Sequence, residues 1–381
     1  MKQIYLDNAA TTPVDVRVLE YMMPYLTEKW GNSTGTHYYS RIMNDALEES
    51  RTIFAKILGG KESEIVFTGS ATESNNTIIK GIARADNPKG KHIIISAIEH
   101  SSVHETCRYL EKSGYEITVI PVNRTGRVNP DDIQSAIRPD TLLVSVILVN
   151  NEIGTLEPVE KIGRICHAAG VLFHTDAVQG FGKIDLNVNK FHIDLLSASS
   201  HKIYGPGGAG LLYIRSGVKM DPLLHGGMQE NGLRSSTVNV AAIAGFAKAA
   251  ELMVAERMEE NNLLGKFKNK IIGNAQKNIP EVLINGDPEY SVNHIVSISF
   301  KNADGELIAM QLDREGIAVS TGSSCSSGQF NRSHVLSACR IPESWAKGTI
   351  RISLGRFTKE TEIDYLMEIL PEIVKKVRKI S

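Results

Sequence analysis

The chain has 381 residues, 42% of them hydrophobic and 22% charged, with a formal net charge of −1. That length admits two domains, or one large domain with an appendage, and the composition is ordinary for a soluble globular protein. The near-zero balance offers no basic field to nucleic acid or anionic lipid. No apolar run is long enough to span a membrane, and the opening MKQIYLDNAATTP lacks the pattern of a signal peptide.

The first helical pattern runs around Asp15–Trp30 and is expected to pack near a second, smaller unit. Short β-rich runs then alternate with helical patterns. Strands are expected at Ile65–Thr68, His92–Ile98, Ile117–Val122, Leu142–Val149, Val171–Thr175, Leu195–Ala198 and Leu211–Ile214. Helices are expected between them at Asp45–Leu58, Thr72–Arg84, Val103–Ser113, Pro130–Ile137 and Val159–Ala168. Strands apolar on both faces and separated by helices predict a mostly parallel sheet covered on both sides. Val238–Lys277 reads as one long helix. From His294 onward the pattern is strand, helix, loop, helix, strand and a terminal helix, Glu360–Lys379, which predicts a smaller α/β unit.

Lys202, in DLLSASSHKIYGPGGAG, follows a short apolar strand and precedes a loop opened by Gly205, Gly207, Gly208 and Gly210 and stiffened by Pro206. Most lysines are solvated surface charges, but this one is placed by its context. Asp176 ends the preceding apolar strand in FHTDAVQ, with Gln179 about one turn on. An amine and a buried carboxylate are what pyridoxal 5′-phosphate (PLP) requires, one to carry its aldehyde and one to face its ring nitrogen. TGSATESNN ends a strand and opens a helix. It puts Ala71 and Thr72 at a helix N-terminus suited to phosphate; taken alone an ordinary Ser/Thr cap is the better explanation, and the phosphate reading gains from Lys202.

Ser199 and His201 lie close enough to Lys202 to serve the same phosphate. His100 follows the carboxyl end of a strand, where open α/β sheets place ligands. Asn151, in LVNNEIGT, is either a turn residue or a polar clamp. Arg351, in GTIRISLGRFT, is either an edge-strand arginine or a bidentate clamp for a carboxylate, with Arg356 the rival for that role and the more structural of the two. The four cysteines, Cys107, Cys166, Cys325 and Cys339, form no metal-type pair, so neither disulfides nor structural zinc is expected. Cys107, Cys166 and Cys339 sit in helical patterns as small hydrophobes. Cys325, in STGSSCSSGQFNRSHVL, is surrounded by small polar residues, where a thiol suits chemistry better than packing.

Taken in order, YLDNAATTPV, ATESNN, the EH at His100, NNEIG, DAVQ, SHKIYGP, GLRSSTVNV, GSSCSS and RISLGRFT resemble the cysteine desulfurases of the IscS/NifS type, which are class-V aminotransferase-like PLP enzymes of fold type I. The resemblance spans nearly the whole chain. It implies a large domain, residues 15–255, built on a mostly parallel seven-stranded sheet covered by helices. A smaller α/β domain would comprise residues 1–14 and 256–381 and carry the Cys325 loop.

It further implies that Lys202 carries PLP and moves the Cα proton, that Asp176 faces the ring nitrogen and Gln179 the ring hydroxyl, and that His100 stacks on the ring. Thr72, Ser199 and His201 would hold the phosphate, with Ala71 and Asn151 beside the cofactor. Thr237 would reach the phosphate of the other subunit of a homodimer. Asn32, Asn151 and Arg351 would hold the substrate carboxylate. Cys325 would take sulfur from L-cysteine as a persulfide, release L-alanine and deliver the sulfur to an IscU-type iron–sulfur scaffold or another acceptor. The implied enzyme is cytoplasmic and holds no metal of its own.

The chain departs from the family pattern at Ser33 and Thr34, where Pro-Ser is usual, and at Met228 and Ser236, where glycine is usual. Three other readings compete. A selenocysteine lyase shares the cofactor chemistry without needing Cys325, a related aminotransferase forms keto acids and no sulfide, and a non-catalytic sulfur-pathway assembly partner binds a scaffold through the Cys325 loop. Cys325 is also a candidate ligand for a nascent cluster on the partner, since thiolates are the usual ligands there.

Overall fold

The computed structural model describes residues 3–86, 89–321 and 333–380. Among these, thirteen strands follow in chain order: β1 (Ile4–Tyr5), β2 (Ile65–Thr68), β3 (His92–Ser96), β4 (Glu116–Ile120), β5 (Thr141–Ser145), β6 (Leu172–Asp176), β7 (Leu195–Ser199), β8 (Gly210–Ile214), β9 (Val282–Asn285), β10 (Ile295–Phe300), β11 (Ile317–Ala318), β12 (Ser320–Thr321) and β13 (Thr349–Ser353). The helices are α1 (Val16–Met22), α2 (Pro24–Thr27), α3 (Tyr38–Leu58), α4 (Ala71–Arg84), α5 (Ser101–Glu111), α6 (Pro130–Ala136), α7 (Val159–Ala169), α8 (Val240–Asn278), α9 (Gly305–Arg314), α10 (His334–Ala338), α11 (Glu343–Ala346) and α12 (Glu360–Arg378).

A seven-stranded sheet runs in the order β2-β8-β7-β6-β5-β3-β4. The pairs from β7 through β4 are parallel, and β8 is antiparallel to both of its neighbours. β3, β5, β6 and β7 are buried throughout or nearly so, as strands covered on both faces must be. The parallel strands therefore end on one edge, where the segments after β3, β5 and β7 carry His100, Asn151 and Lys202 and the last residue of β6 is Asp176. The expected strand Leu142–Val149 is shorter in fact. Past Ser145 the chain stays buried but leaves the regular ladder, with Val146 and Leu148 donating their N–H groups to the carbonyls of His174 and Asp176.

A second sheet, β12-β13-β10-β9, is antiparallel, and β1 pairs with β11. One apolar core gathers Phe54, Phe67, Phe173, Phe181, Phe246 and Met253. Another gathers Leu6, Leu264, Phe267, Phe300, Ile350 and Leu366. Helix α8 supplies Met253 to the first and Leu264 to the second, so one continuous helix joins the two cores. The expected single helix over Asp15–Trp30 is divided into α1 and α2, because Pro24 lacks an N–H and stands at the first position of α2. It packs against α8. Among the described residues, no helix is long and apolar enough to cross a membrane.

Between the two cores lies a buried ionic network. Arg356 donates to Asp15 at 2.9 Å and to Glu260 at 3.0 Å, and pairs with Glu256 at 3.1 Å. Tyr204, two residues past Lys202, donates its hydroxyl to Glu260 and accepts the Arg356 N–H. These contacts hold Tyr204 at a φ of 67°, a conformation a bulky residue adopts only when its surroundings impose it. Removing the central cation strands buried carboxylates. Arg356→Ala is therefore expected to cost about 3–5 kcal/mol of stability at pH 7, read from denaturant midpoints. Hydrogen bonds from Arg17 and Arg356 hold the Asp15 carboxyl well below the usual range. Its folded form is the more acidic, so its contribution is complete above the ordinary aspartate value of about 4 and is lost as pH falls further. The deficit of the variant is expected to narrow on acidification.

Candidate active site

The carboxyl ends of the parallel strands, the start of α4 and the N-terminal segment enclose a cavity of about 510 Å³. Lys202, in the turn after β7, points its amine at the N-terminal segment and donates to the carbonyls of Ala9 and Ala10, both at 2.7 Å. Asp176, 3% exposed, ends β6. Its carboxylate accepts from Asn75 Nδ2 at 2.8 Å and from the Val178 N–H at 3.0 Å, two donors that offset the cost of burying the charge. The same Asn75 amide donates to Ser102 Oγ at 2.9 Å, and its oxygen accepts from Ser197. Ser102 in turn meets His100 Nδ1 at 2.8 Å. Asn75 thus links the carboxylate on β6 to the imidazole after β3.

His100 caps α5, accepting the Ser102 N–H. Burial lowers its pKa below the ordinary value, and the charges of Lys202 and His334 act in the same direction while Asp176 opposes them. The folded protein therefore favours neutral His100. The stability this gives is present above the ordinary histidine value and is lost as pH falls through the lowered one. At neutral pH the ring can accept a proton. His201, beside Lys202, is likewise pushed down to about 4, mainly by burial. Its Nδ1 lies 3.1 Å from Thr11 Oγ1.

Helix α4 opens at the cavity with Ser70 as its cap and Ala71 and Thr72 in its first turn. Ser70 Oγ accepts the Glu73 N–H, and Glu73 reaches back to the Gly69 N–H. The strand β8 passes close to this turn. A Cβ on Gly210 would stand 2.6 Å from the Ser70 carbonyl carbon, so only glycine fits there. Gln179 donates its amide Nε2 to the Ala9 carbonyl at 2.9 Å, while its buried amide oxygen has no partner among the described residues.

On the far wall Arg351 of β13, 3% exposed, donates to the Asn151 carbonyl at 3.0 Å and to Asp7 at 2.8 Å. The cavity therefore brings together Ala71, Thr72, His100, Asn151 and Asp176 with Gln179, Ser199, His201, Lys202 and Arg351. Asn32 and Thr237 lie elsewhere within the single chain. The Asn32 oxygen accepts from Thr34, whereas Thr237 lines a small pocket beside Gly69 and Gly208. Ser236, where the family favours glycine, has a φ of 144°, a region that favours glycine. Cys325 lies outside the described residues.

The first described residues beyond it are tied to the site. Ser333 donates to Glu152 at 2.5 Å, and His334 Nε2 is 3.0 Å from the Glu99 carbonyl. Burial pushes the Glu152 carboxyl up to about 7. Cys107, Cys166 and Cys339 are buried, and burial pushes each thiol up to about 12. Asp7, Asn75 and Ser102 were missed by sequence reasoning. Asp7 and Asn75 stand inside motifs that were read, and only their contacts across the fold show what they do.

The model of the family described as "Aminotransferase class-V" matches residues 4–366. A relative named "Cysteine desulfurase IscS" from Dictyoglomus turgidum is 47% identical over 380 residues, covering 100% of this chain and 96% of the relative. The chain belongs to the class-V aminotransferases, among the IscS/NifS-type cysteine desulfurases. It is a PLP-dependent enzyme of fold type I. A solved structure named "NIFS-LIKE PROTEIN" superposes with a TM-score of 0.93 at 39% identity, covering 98% of this chain and 100% of its own. Another, "SspA in complex with cysteine", gives 0.84 at 34%, covering 94% of this chain and 100% of its own.

The residues present fit PLP on the chain's own terms. A helix N-terminus and a hydroxyl await the phosphate, a donor-supported carboxylate faces the cavity, and the unpartnered Gln179 oxygen can accept from a ring hydroxyl. Asn75 is the support this family's carboxylate has in this chain. Asn75→Ala is expected to weaken PLP binding roughly 10- to 100-fold, the scale of one lost hydrogen bond to a buried charge, measured by cofactor titration after dialysis.

Proposed function

We propose that this desulfurase acts on L-cysteine, transferring its sulfur to Cys325 as a persulfide and releasing L-alanine. The observation that carries the reading is that Lys202, Asp176, His100 and Arg351 line one cavity in a chain of this family. PLP, when bound, supplies the electron sink for negative charge developed at Cα. Thr72, Ser199 and His201 would hold its phosphate, with Ala71 beside it. Asp176 would keep the ring nitrogen protonated, and His100 would cover the ring. Arg351, Asn151 and Asn32 would hold the substrate carboxylate.

Lys202 would remove the Cα proton and return it. Neutral His100 would accept a thiol proton, so that sulfur reacts as thiolate. The Cys325 thiolate attacks the substrate sulfur. An S–S bond forms, the Cβ–S bond breaks with its electron pair returning to carbon, and protonation at Cβ completes L-alanine. Burial leaves the three described cysteines as poor nucleophiles, which favours Cys325 for this role.

The wider reading is a cytoplasmic homodimer divided into residues 15–255 and 1–14 with 256–381. Thr237 of the partner subunit would complete the phosphate site, and an IscU-type iron–sulfur scaffold would receive the sulfur. The position of Thr237 outside the cavity of its own chain is consistent with a role across a dimer.

The test is release of sulfide and alanine from L-cysteine, with PLP and a reductant, by wild type and Cys325→Ala. Equal amounts are expected from wild type, with a loss of at least about 100-fold in the variant, the scale of removing an essential catalytic group. Turnover of cysteine retained in Cys325→Ala would remove the persulfide role. Keto-acid formation without sulfide would make the protein an aminotransferase.

A further inference from the structure

The arginine read as the substrate clamp already holds a carboxylate of the chain itself. Arg351 Nη2 donates to Asp7 Oδ1 at 2.8 Å, and Nη1 donates to the Asn151 carbonyl at 3.0 Å. Its buried Nε has no partner among the described residues. Asp7 lines the same cavity and keeps part of its side chain exposed to it. Its backbone is fixed beside the arginine. Asp7 forms a bridge with Ser353, two residues along β13 from Arg351, and the flanking Asn8 and Leu6 exchange backbone hydrogen bonds with the same Ser353. Tyr5 donates its hydroxyl to the carbonyls of Asp7 and Thr11. This carboxylate is therefore built into the clamp rather than swung against it by a loose side chain.

We propose that Asp7 is a resident competitor for Arg351, a carboxylate that holds the guanidinium before substrate arrives and that the α-carboxylate of an amino acid must share or displace. The inference rests on the reading of Arg351 as the carboxylate clamp. The guanidinium has a fixed set of N–H groups, and the Asn151 carbonyl and Asp7 each occupy one donor nitrogen. A second carboxylate at that nitrogen meets a like charge within a few ångströms. The competitor weakens binding of substrate and of the product that shares its carboxylate, which favours product release. It also penalises side chains that bring a further negative charge into a cavity already holding Asp7 and Asp176.

The experiment uses the PLP-loaded enzyme. It measures KM and kcat for L-cysteine, and dissociation constants by calorimetry for L-alanine and for ethylamine, which lacks the carboxylate. Asp7→Asn keeps an acceptor oxygen and removes the charge. KM for L-cysteine and the dissociation constant of L-alanine are expected to fall roughly three- to tenfold, with ethylamine unmoved. Asp7→Ser removes the charge with a different shape and must move L-alanine in the same direction. Unchanged or weakened L-alanine binding in whichever variant folds overturns the proposal and leaves Asp7 an orienting residue. Arg351→Gln separates the two readings. If it abolishes the preference for L-alanine over ethylamine while the Asp7 variants do not tighten binding, only the competitor fails. If it leaves L-alanine binding unaltered, the clamp reading fails with it.

Discussion

Lys202 and Arg351, cations on opposite walls of the site, both donate to one short stretch of chain. Ala9 and Ala10 offer their carbonyls to the lysine amine, and Asp7 offers its carboxylate to the arginine. A buried cation without acceptors is costly, so buried Arg351 depends on this stretch, and half-buried Lys202 takes its acceptors from it as well. The stretch is itself held from both cores. Asn8 and Leu6 bond to Ser353 of β13, while Thr12 bonds to the His201 carbonyl and to the Tyr204 N–H. The motif YLDNAATTP therefore acts as a strap across the cavity, and the relative position of the two arms of the site depends on it.

The rest of the site follows from strand direction. Five strands run parallel, and four of them, β3, β5, β6 and β7, carry a functional group at or just beyond their carboxyl ends. Polar atoms that leave a sheet at such an edge lose their ladder partners, and here side chains replace them. Asn150, beside Asn151, accepts the N–H groups of Glu152 and Ile153 and donates to the Ile98 carbonyl, which fixes the loop after β5 against the loop before His100. Asn75 performs the same service between Asp176 and Ser102. The loops of the cavity are cross-bonded to one another, which suits a site that must hold several groups at fixed angles.

Much of this was legible in the chain order of residues. The alternation of apolar runs and helical spacing placed the strands, and a charged or polar residue at the end of a buried run, as at Asp176 and Lys202, marks a side chain that the fold has to accommodate. What could not be read has a common cause. Asp7 meets Arg351 across 344 positions and Asn75 meets Asp176 across 101, separations over which spacing carries no information. Within α4 Asn75 looks like any polar helical residue, and only the direction in which that helix packs turns its amide toward Asp176. The division at Pro24 was written in the sequence, but the apolar residues on both sides of it read as one continuous helical pattern. Asn32 and Thr237 rested on resemblance alone, and a single chain leaves both outside the cavity.

The distribution of thiols adds a constraint on the sulfur chemistry. Burial pushes the thiols of Cys107, Cys166 and Cys339 well above the usual range, so they stay protonated near neutral pH and are poor nucleophiles. Their burial also spares them oxidation by the reactive sulfur the site would generate. A nucleophile for substrate sulfur must instead be reachable from a cavity whose walls contain no cysteine among the described residues. Cys325 is the remaining thiol of the sequence, and the chain re-enters the described fold at Ser333 and His334, bonded to Glu152 and to the Glu99 carbonyl. Those two anchors are neighbours of Asn151 and His100. Ser333 and His334 therefore bond to residues that directly adjoin the one that would hold the substrate and the one that would take its proton.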